Sequence, residues 1–240
     1  MTTQWKQSKG LTIIYVGDGK GKTTAAVGAA VRVLGHGWGV LFMQFMKEEK
    51  WPSGERDLFR AVFALSAEAL AKEDYVLPGV RGPAAVHPAP TASSSGLLGL
   101  ERGPRSASPL RESKDTPSVL GEIKVEVVGE GFVGIMGDKK ERETHQNAAL
   151  AGLARASEQL ASGKYPLVIL DEILSAVDEG LLSEQQILDL MGKKPEDVTL
   201  IMTGHKHYPN IFAKADLVTE MKKLKHPFDN GFIAKKGIDY

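Results

Sequence analysis

Cysteine is absent from all 240 residues of the sequence. Its absence excludes disulfide bonds, thiolate nucleophiles and zinc sites built from cysteine ligands, and it fits a reducing compartment. An excess of either charge is also absent, because 30 lysine and arginine residues balance 30 aspartate and glutamate residues. A chain without net charge lacks the general attraction that nucleic acids and anionic membranes exert on basic proteins. We therefore expect neither a nucleic-acid partner nor a membrane partner.

A long hydrophobic run is missing as well. No segment of the sequence approaches the roughly 18 consecutive apolar residues of a membrane-spanning helix. The polar amino-terminal arm, Met1–Gly10, lacks the apolar centre of a secretory signal. These absences favour a soluble protein of the cytoplasm. Trp5 is the one aromatic residue of the arm, and it leaves open a docking or lid role beside a simple frayed end.

A glycine-rich stretch stands between an apolar run, Leu11–Val16, and an alanine-rich helical pattern, Ala25–Leu34. Strand, glycine loop and helix form the context of a phosphate-binding loop, or P-loop. Glycines let backbone N–H groups turn towards an anion, and the helix adds the positive end of its dipole. The stretch therefore predicts that the protein binds a polyphosphate. The predicted ligands are Gly17, Asp18, Gly19, Lys20, Gly21, Lys22, Thr23 and Thr24.

Two loop residues have predicted catalytic roles. Lys22 is placed to reach the outer phosphates, and the Thr23 hydroxyl is placed to ligate a Mg²⁺ that bridges them. One position departs from the general pattern, because Val16 occupies the place of its first glycine. The alternative is a glycine-rich turn that contains Gly-Lys-Thr by chance.

Two carboxylates end another apolar run. Pro166–Asp171 reads as a buried strand, and Glu172 follows it. In P-loop proteins an acid at such a strand end holds the magnesium shell, so Asp171 and Glu172 join Thr23 as predicted metal ligands. The alternative is an acidic pair that caps a helix.

Other polar residues come at or shortly after the predicted ends of strands. Gln44 lies at the carboxyl end of the strand Val40–Phe45, Lys47 lies just beyond it, and Arg56 lies in the loop that follows. Thr203 ends the strand Thr199–Thr203 and suits a phosphate sensor. Ligands bind at the carboxyl ends of parallel strands, so we predict that these residues contact the bound polyphosphate. Ordinary surface charge is the alternative for Lys47 and Arg56.

Strand and helix patterns alternate along the chain, which predicts an α/β fold with right-handed crossovers. The sheet is expected to have about six mostly parallel strands between two helical layers, as in P-loop NTPases of RecA-like type. The remaining predicted strands are Ile123–Val128 and Asp216–Met221. We predict one domain over residues 11–240.

Residues 61–119 interrupt this domain. The stretch holds seven of the chain's 12 prolines and a run of three serines. Its first part, Ala61–Tyr75, keeps helical spacing, but beyond Pro78 the composition buries too little apolar area to offset ordering entropy. We predict a mostly disordered insert.

The motifs together resemble one family, the ATP:corrinoid (cob(I)alamin) adenosyltransferases. The resemblance rests on Gly17–Ala26, Val40–Lys47, Ser53–Arg56, Gly129–Phe132, Val168–Glu172, Thr203–Gly204, Lys225–Gly231 and Gly237–Tyr240. Val16 supports the match, since the family itself lacks the first loop glycine. Outside the arm and the insert, the resemblance spans the chain.

The resemblance implies an activity. Family members transfer the 5′-deoxyadenosyl group of ATP to Co(I) of a corrinoid, release triphosphate and use Mg²⁺ or Mn²⁺. It also implies cobalamin biosynthesis or salvage, a homodimer, and a flavoprotein or flavodoxin-type electron donor. Phe132 matches an aromatic residue that helps to displace the lower cobalt ligand, whereas Gly134 stands where the family usually has tryptophan.

Two other functions remain open from the residues. A P-loop kinase or ATPase would cleave a P–O bond and release ADP, and a nucleotide-binding switch would do no chemistry of its own. The products formed from ATP and reduced corrinoid distinguish all three.

Overall fold

The protein is described by a computed structural model that covers most of the chain. The described residues are 9–69, 120–131, 133–134, 139–232 and 234–238. Most of the predicted insert, Trp5 and Phe132 therefore lie outside the described residues.

The chain divides into two compact units. One unit joins Met1–Ala64 to Pro117–Tyr240, and the other is Leu65–Thr116. Only residues 65–69 of the second unit are described, as the end of a helix. The sheet and the site belong to the first unit.

Six strands form one sheet in the order β3-β2-β4-β5-β1-β6. They are β1 (Thr12–Val16), β2 (Val40–Gln44), β3 (Ile123–Val127), β4 (Leu167–Asp171), β5 (Thr199–Thr203) and β6 (Leu217–Glu220). All five pairs of neighbouring strands are parallel. The predicted α/β fold with about six strands is thus confirmed.

Six α-helices and one 3₁₀ turn accompany the strands in the described part of the chain. They are α1 (Lys22–Gly35), α2 (Gly54–Ala69), α3 (Arg142–Ala161), α4 (Ile173–Asp178), α5 (Glu184–Gly192), α6 (Pro209–Phe212) and the 3₁₀ turn Pro227–Asn230. A capping box is present at the start of α5, since Ser183 and Gln186 exchange hydrogen bonds. None of these helices is both long and apolar enough to cross a membrane.

The central strands bury both faces, as their continuous apolar runs predict. On one face, Phe42 and Ile169 pack with Ala26 and Ala30 of α1. The opposite face is a larger core in which residues of β2, β4 and β5 pack against α3, α4 and α5. Representative members are Leu41, Met43, Leu170, Met202, Leu160, Leu174 and Ile187. The result is three layers, with helices on both sides of the sheet.

Parallel pairing brings the carboxyl ends of all the strands to one edge of the sheet. Gln44 pairs with Asp171 across β2 and β4, and Tyr15 pairs with Thr203 across β1 and β5. The predicted site residues at the ends of β1, β2, β4 and β5 therefore lie along the same edge.

Candidate active site

The glycine loop rests on the end of the edge strand β6. A Cβ atom on Gly17 would lie 2.4 Å from the carbonyl oxygen of Met221, and one on Gly19 would lie 2.7 Å from it. The Gly19 N–H donates to that same oxygen at 2.7 Å. Gly17 and Gly21 also have φ values of 108° and 114°, where side chains are strained. Glycine is required here by close backbone approach as well as by backbone conformation.

The contact of the glycine loop with Met221 explains why valine, and not glycine, occupies position 16. Its side chain is fully buried in the core, and its carbonyl oxygen accepts from Met221 N–H at 2.8 Å. The chain still belongs to the sheet at this residue and turns away only at Gly17. A glycine at position 16 would leave a void in the core.

Asp18 holds the loop with its side chain. Its Oδ1 accepts a hydrogen bond from the backbone N–H of Lys223 at 2.9 Å. This bond and the positive charge of Lys223 lower the pKa of Asp18 despite some desolvation. The structure therefore shows a side chain that fastens the loop, and its predicted contact with ATP stays a prediction.

Lys22 is buried at the start of α1. Its ammonium group donates to the carbonyl oxygens of Gly17 and Gly19, at 2.7 and 2.9 Å. Burial lowers the pKa of Lys22, while the nearby carboxylates of Glu172 and Asp171 oppose that change. The cation thus lies inside the glycine loop.

Four polar groups from three parts of the fold meet at the end of β4. Asp171 Oδ1 accepts from the hydroxyl groups of Thr23 and Thr203, each at 2.9 Å. The Thr203 oxygen in turn accepts from the backbone N–H of Glu172 at 2.8 Å. The predicted partners Thr23, Asp171 and Thr203 are therefore brought together.

Glu172 has a different environment from its neighbour. Its backbone is left-handed, with φ 61°, and its side chain is largely buried. Burial raises the pKa of Glu172, and the charge of Asp171 raises it further. Ser175 donates a hydrogen bond to Glu172 Oε2, and His205 Nε2 lies 3.8 Å from that oxygen. Sequence patterns gave no sign of the roles of Ser175 and His205.

A second polar group extends from β2 to the start of α2. Lys47 Nζ lies 3.4 Å from Asp171 Oδ2 and 3.5 Å from Glu55 Oε1. The Gln44 amide donates to the same Glu55 oxygen at 3.2 Å. Glu55 was not predicted as a site residue. Its position in the first turn of a helix, close to two predicted ligands, could have indicated a role in the site. It positions both Gln44 and Lys47.

Arg56 is buried, and its guanidinium group makes contacts within the loop that precedes α2. Its guanidinium donates to the carbonyl oxygens of Glu48 and Trp51, and it lies 3.6 Å from Glu49 Oε2. Its backbone N–H donates to the Ser53 hydroxyl. These contacts stabilise the β2–α2 connection, and the predicted contact of Arg56 with ATP stays a prediction.

Two cavities flank Thr23 and Thr24. The phosphate cavity, of about 500 Å³, is lined by residues 20–24, Glu172 and Ile238. The side cavity, of about 290 Å³, is lined by Thr23, Thr24, Val27, Lys47, Gly54, Glu55, Gly237 and Ile238. Every predicted ligand from Lys20 to Thr24 thus lines the phosphate cavity.

The donor set at the end of β4 fits Mg²⁺. Asp171 Oδ2 is buried and accepts no hydrogen bond, although Lys47 Nζ lies 3.4 Å from it, and the Thr23 hydroxyl donates to the other carboxylate oxygen. Mg²⁺ is usually held by one or two protein oxygens, with substrate phosphates and water completing its shell. Among the described residues there is no cluster of three or more acidic, histidine or cysteine ligands.

Comparison with known proteins identifies relatives across nearly the whole chain. The sequence profile of the family described as ATP:corrinoid adenosyltransferase BtuR/CobO/CobP matches residues 8–81 and 107–240. The match leaves out only residues 82–106 between these two parts, which lie within the predicted insert. The corrinoid adenosyltransferase of Escherichia coli (strain K12) is 27% identical over 237 residues, or 99% of this chain and 89% of that protein.

Two further relatives agree. Corrinoid adenosyltransferase CobA of Salmonella typhimurium (strain LT2) is 27% identical, with 99% of this chain and 89% of that protein covered. The corrinoid adenosyltransferase of Pseudomonas aeruginosa is 26% identical, with coverage of 99% and 87%. The chain therefore belongs to the ATP:corrinoid adenosyltransferase family, and transfer of the adenosyl group of ATP to a corrinoid is the activity that this membership assigns to it.

Proposed function

We propose that the site catalyses attack of corrinoid Co(I) on C5′ of ATP. A Co–C bond forms, the C5′–O5′ bond breaks, and its electron pair leaves with triphosphate. The observation that carries the proposal is the family match over residues 8–81 and 107–240. The product is adenosylcobalamin or a related corrinoid, made in biosynthesis or salvage.

This chemistry fits the residues at the site. Co(I) is itself a strong nucleophile, so the protein supplies no serine, cysteine or histidine nucleophile and no general base. Its tasks are to align C5′ with cobalt and to stabilise charge on the leaving triphosphate. Lys22 and the loop N–H groups serve the second task. Lys22 Nζ exchanges its bonds to the Gly17 and Gly19 carbonyl oxygens for phosphate oxygens when ATP binds.

Thr23 and Asp171 hold the divalent ion, Mg²⁺ or Mn²⁺, and Glu172 lies beside them. When bound, the ion neutralises negative charge on the triphosphate. The hydrogen bond from Thr203 keeps Asp171 oriented for this role. The assignment of Asp171 as a metal ligand is supported by its buried Oδ2, which accepts no hydrogen bond and lies 3.4 Å from the Lys47 ammonium group.

Lys47 and Gln44 contact the substrate from the β2 side of the site. These two assignments are supported by the contacts of Glu55, which holds both side chains near Asp171. Arg56 belongs to the same connection and contributes a third polar group. Phe132 shields cobalt from water and helps to displace its lower ligand, as the family resemblance implies.

The remaining assignments concern the assembly and the setting of the protein. We propose a homodimer in the cytoplasm, as the family resemblance implies, whose corrinoid substrate is reduced to Co(I) by a flavoprotein or flavodoxin-type donor. We also propose that residues 11–240 form one catalytic domain in which the insert within 61–119 is dispensable. Excision of residues 82–106, which the family profile leaves out, is expected to preserve transfer.

Product analysis tests the reaction. The protein is incubated with ATP, Mg²⁺ and chemically reduced cobalamin, and adenosylcobalamin and triphosphate are expected in equal amounts. ADP in their place would show a kinase or ATPase, and the absence of any product would favour a nucleotide-binding switch.

Lys22→Ala provides the matched test of the loop. Transfer is expected to fall at least a hundredfold, a size typical of the loss of one preorganised charge, while the circular dichroism spectrum is retained. Lys193→Ala is the control, because Lys193 is exposed after α5, away from both cavities. Full activity in Lys22→Ala would overturn the assignment of the loop.

A further inference from the structure

Two connections at the carboxyl edge of the sheet lie directly against each other. One is the β2–α2 connection, residues 45–53, and the other is the β3–α3 connection, of which residues 128–131, 133–134 and 139–141 are described. A Cβ atom on Gly129 would lie 2.5 Å from the backbone nitrogen of Met46, and one on Gly131 would lie 3.2 Å from Glu48 Oε1. Glycine at these two positions lets the connections come into contact.

Lys140 joins the two connections where they meet. Its ammonium group donates to Glu48 Oε1 at 2.7 Å, to Glu130 Oε2 at 2.5 Å and to the Glu130 carbonyl oxygen at 2.9 Å. The hydrogen bonds to Glu130 and Glu48 raise the pKa of Lys140, so the lysine is charged at neutral pH. One cation thus holds a side chain of the first connection and both a side chain and the backbone of the second.

The two glutamates lie next to residues that are assigned to different substrates. Glu48 follows Lys47, whose ammonium group lies 3.4 Å from Asp171 Oδ2 on the nucleotide side of the site. Glu130 lies two positions before Phe132, which is proposed to shield cobalt. Transfer requires C5′ of ATP to be aligned with cobalt, so the distance between the two connections affects the reaction.

The ion pairs of Lys140 act locally. The side chain of Lys140 is 33% exposed and that of Glu130 is 41% exposed, and ion pairs that are open to solvent contribute little to global stability. Three hydrogen bonds nevertheless converge on one nitrogen atom. Their effect is to fix the distance between two segments of backbone rather than to hold the fold together.

We propose that Lys140 is a positioning residue that holds the β3–α3 connection against the β2–α2 connection and thereby places the corrinoid in line with ATP. The proposal rests on the proposed function in one respect, namely that Phe132 contacts the corrinoid. Lys140 acts through its connection and not by contact with either substrate. Its loss lets Glu130 separate from Glu48, while the glycine loop and the metal site keep their contacts.

Lys140→Met tests this role, because methionine has a side chain of similar length without the charge. With the full chain, ATP, Mg²⁺ and chemically reduced cobalamin, kcat/KM for the corrinoid is expected to fall about ten- to a hundredfold. KM for ATP is expected to stay within about twofold of the wild type. Lys140→Arg keeps the cation and is expected to recover most of the loss. In a Phe132→Ala background, Lys140→Met is expected to add less than about twofold, because both substitutions act through one connection.

Lys124→Met is the matched control. Lys124 is 44% exposed and lies 2.6 Å from Glu126 Oε1, so it makes the same kind of ion pair as Lys140. Both partners of this pair belong to β3, the strand that precedes the connection. Its replacement is expected to leave the kinetic constants for both substrates within about twofold of the wild type.

Amide hydrogen exchange adds a measurement that needs no corrinoid. Exchange in residues 129–131 is expected to be at least about threefold faster in Lys140→Met than in the wild type or in Lys124→Met, with α1 unchanged. Unchanged exchange in residues 129–131, an equal rise of KM for ATP and corrinoid, or an equal loss in Lys124→Met would overturn the proposal. A wild-type protein without adenosyl transfer would contradict the proposed function instead, and the exchange rates would still decide whether Lys140 holds the connection.

Discussion

The Thr23 hydroxyl donates a 2.9 Å hydrogen bond to Asp171 Oδ1, which joins the first helix to the end of β4. The two residues are 148 positions apart in the chain. The bond places the hydroxyl and the carboxylate side by side. It is the contact that most directly links the two predicted halves of the metal site.

Replacement of Thr23 by valine tests this link. Thr23→Val keeps the shape of the side chain but removes the hydroxyl, so both the bond to Asp171 and a metal ligand are lost. We expect transfer to fall roughly a hundredfold and the Mg²⁺ concentration for half-maximal rate to rise. Thr23→Ser keeps the hydroxyl and is expected to stay within tenfold of the wild type. An unchanged Mg²⁺ dependence in Thr23→Val would contradict the assignment.

Alanine substitutions at two glycines test whether close backbone contact, rather than chain flexibility in general, requires glycine at position 17. Gly17→Ala places a Cβ atom 2.4 Å from the Met221 carbonyl oxygen at a φ of 108°, so the free energy of unfolding should fall by about 1–3 kcal/mol. Gly28→Ala is the control within α1, where no atom lies within 4 Å of the added carbon. It should raise stability by about 0.5–1 kcal/mol. Urea denaturation measures the free energy of unfolding of both variants. Equal effects of the two substitutions would contradict the close contact between Gly17 and Met221.

Thr203→Val tests the buried hydrogen bonds at the end of β5. The hydroxyl donates to Asp171 and accepts from Glu172 N–H in a fully buried position. Its removal leaves that N–H without a partner, which should cost about 1–3 kcal/mol of unfolding free energy. Thr203→Ser keeps the oxygen and should recover most of this loss. Chemical denaturation of both variants gives the comparison.

Glu172 makes stability depend on pH. Burial and Asp171 raise the pKa of Glu172 above its ordinary value of 4.5, so the folded state binds this proton more tightly than the unfolded state. Its contribution is fully present below pH 4.5 and is lost as pH rises through the folded pKa. Glu172→Gln should therefore be more stable than the wild type at pH 7, with a difference that disappears below pH 4.5. A difference constant from pH 4 to 8 would contradict this.

The sequence predicted the strands well because each is a short apolar run with punctuation at its ends. β5 has the predicted bounds Thr199–Thr203, and β2 ends one residue before the predicted Phe45. The helices α4 and α6 were not predicted, since six and four residues give no helical period to detect. Their existence depends on packing against the finished sheet.

The site was predictable where a motif describes local chemistry and not where distant parts of the chain meet. Lys22 and Thr23 follow from the loop pattern, whereas the bond between Asp18 and Lys223 joins residues 205 positions apart. Arg56 had the charge of a phosphate ligand, yet carbonyl oxygens of its own loop occupy its guanidinium. Single-sequence patterns carry no record of such tertiary contacts.

The contact of the glycine loop with Met221 also determines when the complete loop can form during protein synthesis. Gly17 and Gly19 are synthesised well before Met221, the residue against which they pack. At roughly 5–20 residues per second, about 10–40 seconds separate the two. The glycine loop of a nascent chain therefore lacks its contacts with Met221 until the residues of β6 have been synthesised.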